Sequence, residues 1–345
     1  MATLKVLGKS NLFVNLKDKV MQVQHFIGAD ISKKTIDFAI HQGGHFRTAN
    51  CEAGFKDLLI WLQKEQVNVK GMLIVMEHTG LYSYPLERFL HHNELAFTKV
   101  SPLQIKLSMG MVRGKTDKID ARRIARYGFQ QQAELQPCLA SAVRIQRLKL
   151  LKSTRDRLVK NRAALKTALK ETRAFCDLAT DDILVKSQEQ LIVTLSSKIA
   201  LLEAEIQKTI KADADINRNY QLITSVPGVG QCTATESIIT TENFSKFKNA
   251  RKFACYCGVA PFEHTSGSSI HRKTKVSQLA NKRMKSLLDA GAKSVINYDK
   301  ELRSYYQKRI ESGKSKMSTI NIIRNKIIFR MFAVINRQTD FIKVA

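Results

Sequence analysis

The sequence predicts an α/β domain followed by a mainly helical remainder. Three observations carry this: short strand-like and helix-like runs alternate between His25 and Met109, a long basic segment with heptad-spaced leucines follows Arg144, and helical patterns punctuated by one glycine turn continue to the C-terminus.

Residues 1–22 form a basic leader that alternates Lys with short apolar pieces. It has no continuous apolar core and no small-residue cleavage site, so it does not read as a signal peptide. His25 to Ile40 and then His45 to Asn50 give three strand-like runs separated by the turn signals SKK and QGG, an antiparallel meander. Gly54 to Gln66 has helical spacing of Phe55, Leu58, Leu59 and Leu62. Gly71 to Gly80 reads as a buried strand ending in an acid. Helix, strand and helix follow over Tyr82–Glu94, Leu95–Val100 and Ser101–Met109. Next comes RGKTDKIDARRIAR, Arg113 to Arg126.

That order of elements is the signature of a ribonuclease H-like fold, and acids fall where such a fold needs them. Asp30 is in the first strand, Glu77 closes the fourth, and Asp117 and Asp120 lie one helical turn apart, with Arg113, Lys115, Lys118, Arg122, Arg123 and Arg126 around them. Four carboxylates can hold two divalent cations roughly 3.5–4 Å apart for phosphoryl transfer. Oxygen-only ligands favour Mg2+ or Mn2+ over zinc. The Arg113–Arg126 pattern alone also fits an amphipathic surface helix, and Asp30 or Glu77 alone fits a strand-end residue. Asp37 and Glu87 are expected to be ordinary acids. Gly110, Gly114, Lys115 and Thr116 resemble a P-loop, but only three residues separate the glycines where that loop needs four, so an ATPase is set aside.

The 345 residues suffice for two domains, and 44% hydrophobic residues can supply a core. A formal charge of +27, with 57 Lys and Arg against 30 Asp and Glu, points to a polyanionic partner, nucleic acid before membrane. No run of eighteen apolar residues is present to span a bilayer. The cysteines Cys51, Cys138, Cys176, Cys232, Cys255 and Cys257 lack zinc-site spacing and read as cytosolic thiols packed as small apolar residues.

From Arg144 to Arg173 eleven Lys or Arg face two acids, with Leu151, Leu158 and Leu165 seven apart. A second helix is marked by Leu191, Leu195, Leu202, Ile206 and Ile210. The pair predicts an antiparallel or dimerising coiled coil whose charged face, including Arg147, Arg155 and Arg162, grips a nucleic-acid backbone; a plain linker with a solvated face is the alternative. Leu222 to Thr241 contains Pro227-Gly228-Val229-Gly230 before a helix, which resembles a helix-hairpin-helix, with Gly228 and Gly230 letting backbone N–H groups meet phosphate. A tight turn between helices has the same pattern. In the segment from Cys257, Ser266-Gly267 lies in a small-residue turn followed by His271, Arg272, Lys273 and Lys275, then Lys282 and Arg283 on a helix. A serine amid such charge can attack a phosphodiester, with His264 or His271 as base; a Ser/Gly surface loop is the bland reading. From Tyr298 to Gln338 basic helices carry Ile322, Ile323, Ile327 and Ile328 on an apolar face.

Together GADISKK, MEHTG, RGKTDKIDARRIA, SVPGVGQCTA and YCGVAPFEHTSGSSIHRKTKVSQLANKRMK resemble the insertion sequence 110 family of DEDD transposases, the bridge-RNA-guided recombinases, and its 1111 subgroup. Thr265 departs from the Gln frequent there, and the leader is longer. The resemblance implies a RuvC-like DEDD domain over 23–135, a helical coiled coil over 140–215, and a C-terminal transposase domain over 220–345. It maps Asp30, Glu77, Asp117 and Asp120 to the metal tetrad and Ser266 to a nucleophile that forms a transient phosphoserine link. It further implies element-end and target DNA and a guide (bridge) RNA as partners, a dimer or tetramer at synapsis, and a bacterial cytoplasmic location, nucleoid-associated on DNA. The competing expectations are a RuvC-like structure-specific nuclease of the Holliday junction resolvase type, with water as nucleophile, and a non-catalytic nucleic-acid-binding protein.

Overall fold

The structure is a computed structural model. It describes residues 23–342 apart from 79, 111–113, 115, 139–141, 177–178, 181 and 267–269, with the side chains of 142–143 and 263–273 also outside the description. The leader, Arg113, Lys115 and the side chains of His264, Ser266, His271, Arg272 and Lys273 therefore lie outside the described residues. The chain forms two compact units that divide between Ala140 and Ser141.

In the first unit β1 (His25–Ile31), β2 (Thr35–Ile40) and β3 (His45–Ala49) make the expected meander. The Ser32 hydroxyl closes its first turn by accepting from the Thr35 N–H (3.1 Å) and donating to the Thr35 carbonyl (2.8 Å). There follow α1 (Glu52–Lys64), β4 (Met72–Glu77), α2 (Tyr84–His92), β5 (Phe97–Val100), α3 (Pro102–Ser108) and α4 (Asp117–Gln130). The sheet order is β3-β2-β1-β4-β5, with β1, β4 and β5 parallel.

Strand alternation divides the sheet into two apolar faces. Ile27, Ala29, Ile36, Phe38, Ile74 and Met76 pack with Phe55, Leu58 and Leu62 of α1 and Leu86 and Leu90 of α2. Phe26, Leu73 and Val75 point the other way and pack with Ile124 and Tyr127 of α4. This second face also carries Gly28, whose position dictates how α4 lies. A Cβ there would fall 2.1 Å from the Ala121 carbonyl oxygen and 2.4 Å from the Ala125 nitrogen. Helix backbone thus rests on strand backbone, with Ala121, Ala125 and Gly128 presenting little or no side chain between them.

In the second unit α5 (Ala142–Phe175) and α6 (Ile183–Lys211) pack as an antiparallel pair, since Arg144, Arg155 and Arg173 meet Asp213, Glu203 and Glu189 in descending order. The seam differs from the expected one. Leu191 is 53% exposed, while Val185, Ile199, Ile206 and Ile210 are buried. Only Leu191 of the expected positions falls outside the seam: Ile206 and Ile210 are buried and Leu195 and Leu202 partly so, and Val185 and Ile199, at heptad spacing from Ile206, join them. Leu151 is buried, whereas Leu158 and Leu165 are only partly so. The pair is not isolated at its base: Ile145, Leu148, Leu151, Ile206 and Ile210 share one core with the C-terminal helices.

Those helices are α7 (Ala214–Thr224), α8 (Gln231–Thr241) and α9 (Ala250–Tyr256), then α10 (Lys282–Tyr298), α11 (Lys300–Glu311) and α12 (Lys316–Arg337). Asp213, Asn249, Asn281 and Asp299 cap α7, α9, α10 and α11 by accepting an N–H two or three residues into each helix. Phe253, Met284, Leu288, Ile323, Ile327 and Ile328 fill the interior. Ile322 is only partly buried, and Ile320 and Met331 complete the α12 face. Between α9 and α10 stands a two-stranded antiparallel ribbon, β6 (Pro261–Ser266) and β7 (Ile270–Val276), which flanks the expected Ser-Gly turn. The cysteines divide: Cys257 is buried as expected, but Cys51 and Cys176 are exposed.

Gly28→Ala is expected to destabilise the protein by about 3 kcal/mol, the upper end of the usual overpacking cost, because the collision is with backbone that cannot rotate away. Urea unfolding measures this; an unchanged midpoint would show that α4 does not rest on β1 as described.

Candidate functional site

The acids come together through register. Asp30 shares the face of Gly28, two residues on, and its partner across β2 is Asp37. Along β4 the pairing Ala29 with Met76 brings Glu77 alongside Asp30 on the other flank. From above, α4 adds Asp117 and Asp120. Thr116 caps this helix by accepting from the Ile119 N–H (3.3 Å), which fixes both aspartates in the first turn, where the helix dipole favours negative charge.

The electrostatics record this convergence. The Asp30 carboxyl is lifted from its ordinary 3.8 to about 6, by burial first and then by the negative charges of Asp120, Asp117, Glu77 and Asp37. Yet among the described residues no three His, Cys, Asp or Glu side chains stand close enough to grip a metal ion as they lie. Two arginines account for part of that. Arg47 lies between Asp37 (3.5 Å) and Asp117 (3.6 Å), and Arg123 binds Asp120 at 2.7 Å while donating to the Gly114 carbonyl at 2.9 Å. The donor set, oxygen only and mutually repelling, fits a hard divalent cation, and the acids are in electrostatic reach of one another.

Sequence reasoning missed Asp37, His45 and Arg47. Asp37 is 3% exposed and bonded to His45 at 2.8 Å, so it is not ordinary. Its cross-strand partner in the meander is Arg47, and that register was the available signal. Glu87 is buried too, accepting from Ser83 (2.7 Å) and Lys99 (3.0 Å), which ties α2 to β5 rather than to the acids.

The basic residues separate into two kinds. Arg155 holds Glu203 through two nitrogens (2.8 and 2.6 Å), Arg147 meets Glu205 at 3.7 Å and Arg162 donates to the Ser196 hydroxyl at 3.1 Å, all across the helix pair. Arg283 pairs with Asp156 and with Glu236 (2.9 Å), beside the buried Lys152. Burial pushes Glu236 up and Lys152 down in pKa, each against the pull of the other. These groups bind helices to one another. Arg122, Lys275 and Lys282 stand exposed. Gly228 sits at φ +86 with its carbonyl against Gly291 of α10, whereas Gly230 stands exposed at the start of α8 with open space beside it. Ser266 ends β6, opposite Ile270. The ribbon leaves the core through a tight neck: a Cβ on Gly258 would fall 2.4 Å from that of Ala280, and the Asn281 N–H donates to the Tyr256 carbonyl (2.9 Å).

An acid-lined sheet under a basic helix, followed by a cation-rich helical unit, defines a protein that handles phosphodiesters. Residues 27–172 match the IS110-type DEDD transposase family, and residues 220–307 match the family described as transposase IS116/IS110/IS902. A pilin gene-inverting protein of Moraxella bovis is 28% identical over 330 residues, which cover 92% of this chain and 98% of that one. The transposase for insertion sequence element IS1111A of Coxiella burnetii is 23% identical over 298 residues, 79% of this chain and 80% of that one. The chain belongs to the IS116/IS110/IS902 family of DEDD transposases. Membership implies an enzyme that cuts and rejoins DNA, and a DEDD domain of this kind suggests dependence on a divalent metal. Among the described residues no helix is long and apolar enough to cross a membrane.

Because the folded chain keeps the Asp30 proton to higher pH than the unfolded chain does, Asp30 lowers stability as pH rises from 3.8 through about 6. In EDTA the thermal midpoint of the wild type is expected to fall across that window relative to Asp30→Asn, and added magnesium to raise the wild type alone at neutral pH. Parallel pH profiles of the two proteins would contradict the convergence of charge on Asp30.

Proposed function

We propose that this transposase is an RNA-guided DNA recombinase of the 1111 subgroup, with a RuvC-like acid domain and Ser266 as its covalent nucleophile. The observation that supports the reading is the convergence of Asp30, Glu77, Asp117 and Asp120 at one end of one sheet face, in a chain whose strand β6 ends at Ser266. Asp30, Glu77, Asp117 and Asp120 would hold the metal, Mg2+ or Mn2+, which when bound supplies Lewis-acid stabilisation of charge at the phosphate.

The Ser266 oxygen attacks phosphorus as one phosphorus–sugar oxygen bond breaks. The serine proton passes to a base and the leaving oxygen takes up a proton, so the new phosphoserine retains the bond energy for rejoining and no ATP is needed. Arg272, Lys273 and Lys275 on β7 follow the turn closely and supply positive charge for the developing oxyanion. The relative named for inverting a pilin gene favours exchange between two DNA sites over simple hydrolysis. Exposed cations on α5, paired as Arg157 with Lys160 and Lys166 with Lys170, offer a polyanion positive charge that the seam arginines do not. On this reading a guide RNA selects element-end and target DNA, and two or four copies act together.

The test is a denaturing-gel search for a covalent protein–DNA adduct, using full-length protein with its co-purified RNA, magnesium and element-end DNA. The expected result is an adduct that disappears in Ser266→Ala and in Asp117→Ala. Cleavage without an adduct, unchanged in Ser266→Ala, would overturn the phosphoserine route and leave a hydrolytic nuclease.

A further inference from the structure

Lys118, Arg122 and Arg126 recur every fourth residue along α4, so they lie on one face at steps of about 6 Å. All three are exposed, and among the described residues none is ion-paired, in contrast to Arg123 on the same helix. Phe129 continues the same face one turn beyond Arg126. It is 45% exposed, stacks on His41 with ring centres 4.4 Å apart and planes at 19°, and meets the edge of Phe26 at 6.0 Å. The Nε2 atom of His41 is buried without a hydrogen-bond partner among the described residues. Burial, then the charge of Arg126, holds that imidazole below its ordinary range, which favours the uncharged ring. Beside Arg126 a cleft of about 90 Å³ opens between Ser108, Arg123 and Gln130. This face begins at the turn that carries Asp117 and Asp120 and leads away from the acids.

We propose that the outer face of α4 is a track for one unpaired nucleic-acid strand leaving the acid site, with Lys118, Arg122 and Arg126 taking successive phosphates and the Phe129–His41 stack taking a base. A cation row one residue wide follows a single backbone. An aromatic end stop has nothing to stack on in an intact duplex, whose base faces are covered, whereas an unpaired base offers its π-face at a gain of about 1–3 kcal/mol. The inference rests on the strand-cutting role proposed above and adds to it the form of the substrate and its direction.

The test is photocrosslinking of full-length protein, at moderate salt, to a short single-stranded oligonucleotide carrying 5-iododeoxyuridine at successive positions, with adducts mapped by mass spectrometry. Crosslinks are expected at Phe129 or His41 from one end of the strand. They should fall at least tenfold in Arg126→Ala and in Phe129→Leu, which keeps the apolar packing but removes the stack, and should survive excess duplex of the same sequence. Crosslinks found only elsewhere, none at all, or equal competition by duplex would overturn the track. The Ser266 adduct is read separately: an adduct without α4 crosslinks removes the track alone, and α4 crosslinks without an adduct remove the phosphoserine route alone.

Discussion

The contact between strand backbone and helix backbone at Gly28 is what the acid site depends on. No other residue lets α4 lie so close to β1, and the distance matters because carboxylates are short side chains. Raised by one side-chain layer, the first turn of α4 would carry Asp117 and Asp120 out of the range in which they perturb Asp30. The same approach directs the exposed stripe of α4 outward, so one glycine in the central strand sets both where the acids meet and which way the basic face points.

The acids that result are paired with cations of the protein itself. Arg47 stands between Asp37 and Asp117, and Arg123 ties Asp120 to the Gly114 carbonyl. Without a counter-charge the cluster would be repulsive. With the two guanidiniums it persists as a set of ready acids. The β3 edge, which carries none of these acids, is in this way connected to them through Arg47.

Much of this was legible in the sequence, for physical reasons that differ by element. The first unit was readable because its strands alternate cleanly and its turns carry small polar residues, so the acids could be placed at strand ends and in one helical turn. Asp37 was misjudged because its importance comes from a neighbour on another strand, Arg47, which only the register reveals. The ribbon around Ser266 was hidden by a Ser/Gly run that loops and hairpin turns share. The α6 seam was legible at Ile206 and Ile210 and missed only at Leu191, because Val185 and Ile199, at heptad spacing from Ile206, take the inward positions there. Arg155 and Arg283 looked free because their acids, Glu203 and Glu236, lie 48 and 47 residues away in sequence.

Those internal ion pairs change what the net charge means. The +27 formal charge counts excess cations but says nothing of where the balancing acids sit. Here many of those acids are matched to arginines along helix seams, so neutralised pairs are concentrated inside the second unit and the unmatched cations remain on outer helix faces such as Arg157, Lys160 and Lys166. Counterions displaced when this protein meets a polyanion would therefore come from those exposed cations and not from the paired ones. Its affinity for nucleic acid is governed by how many of those exposed cations one molecule can reach at once, a question of shape and not of total charge.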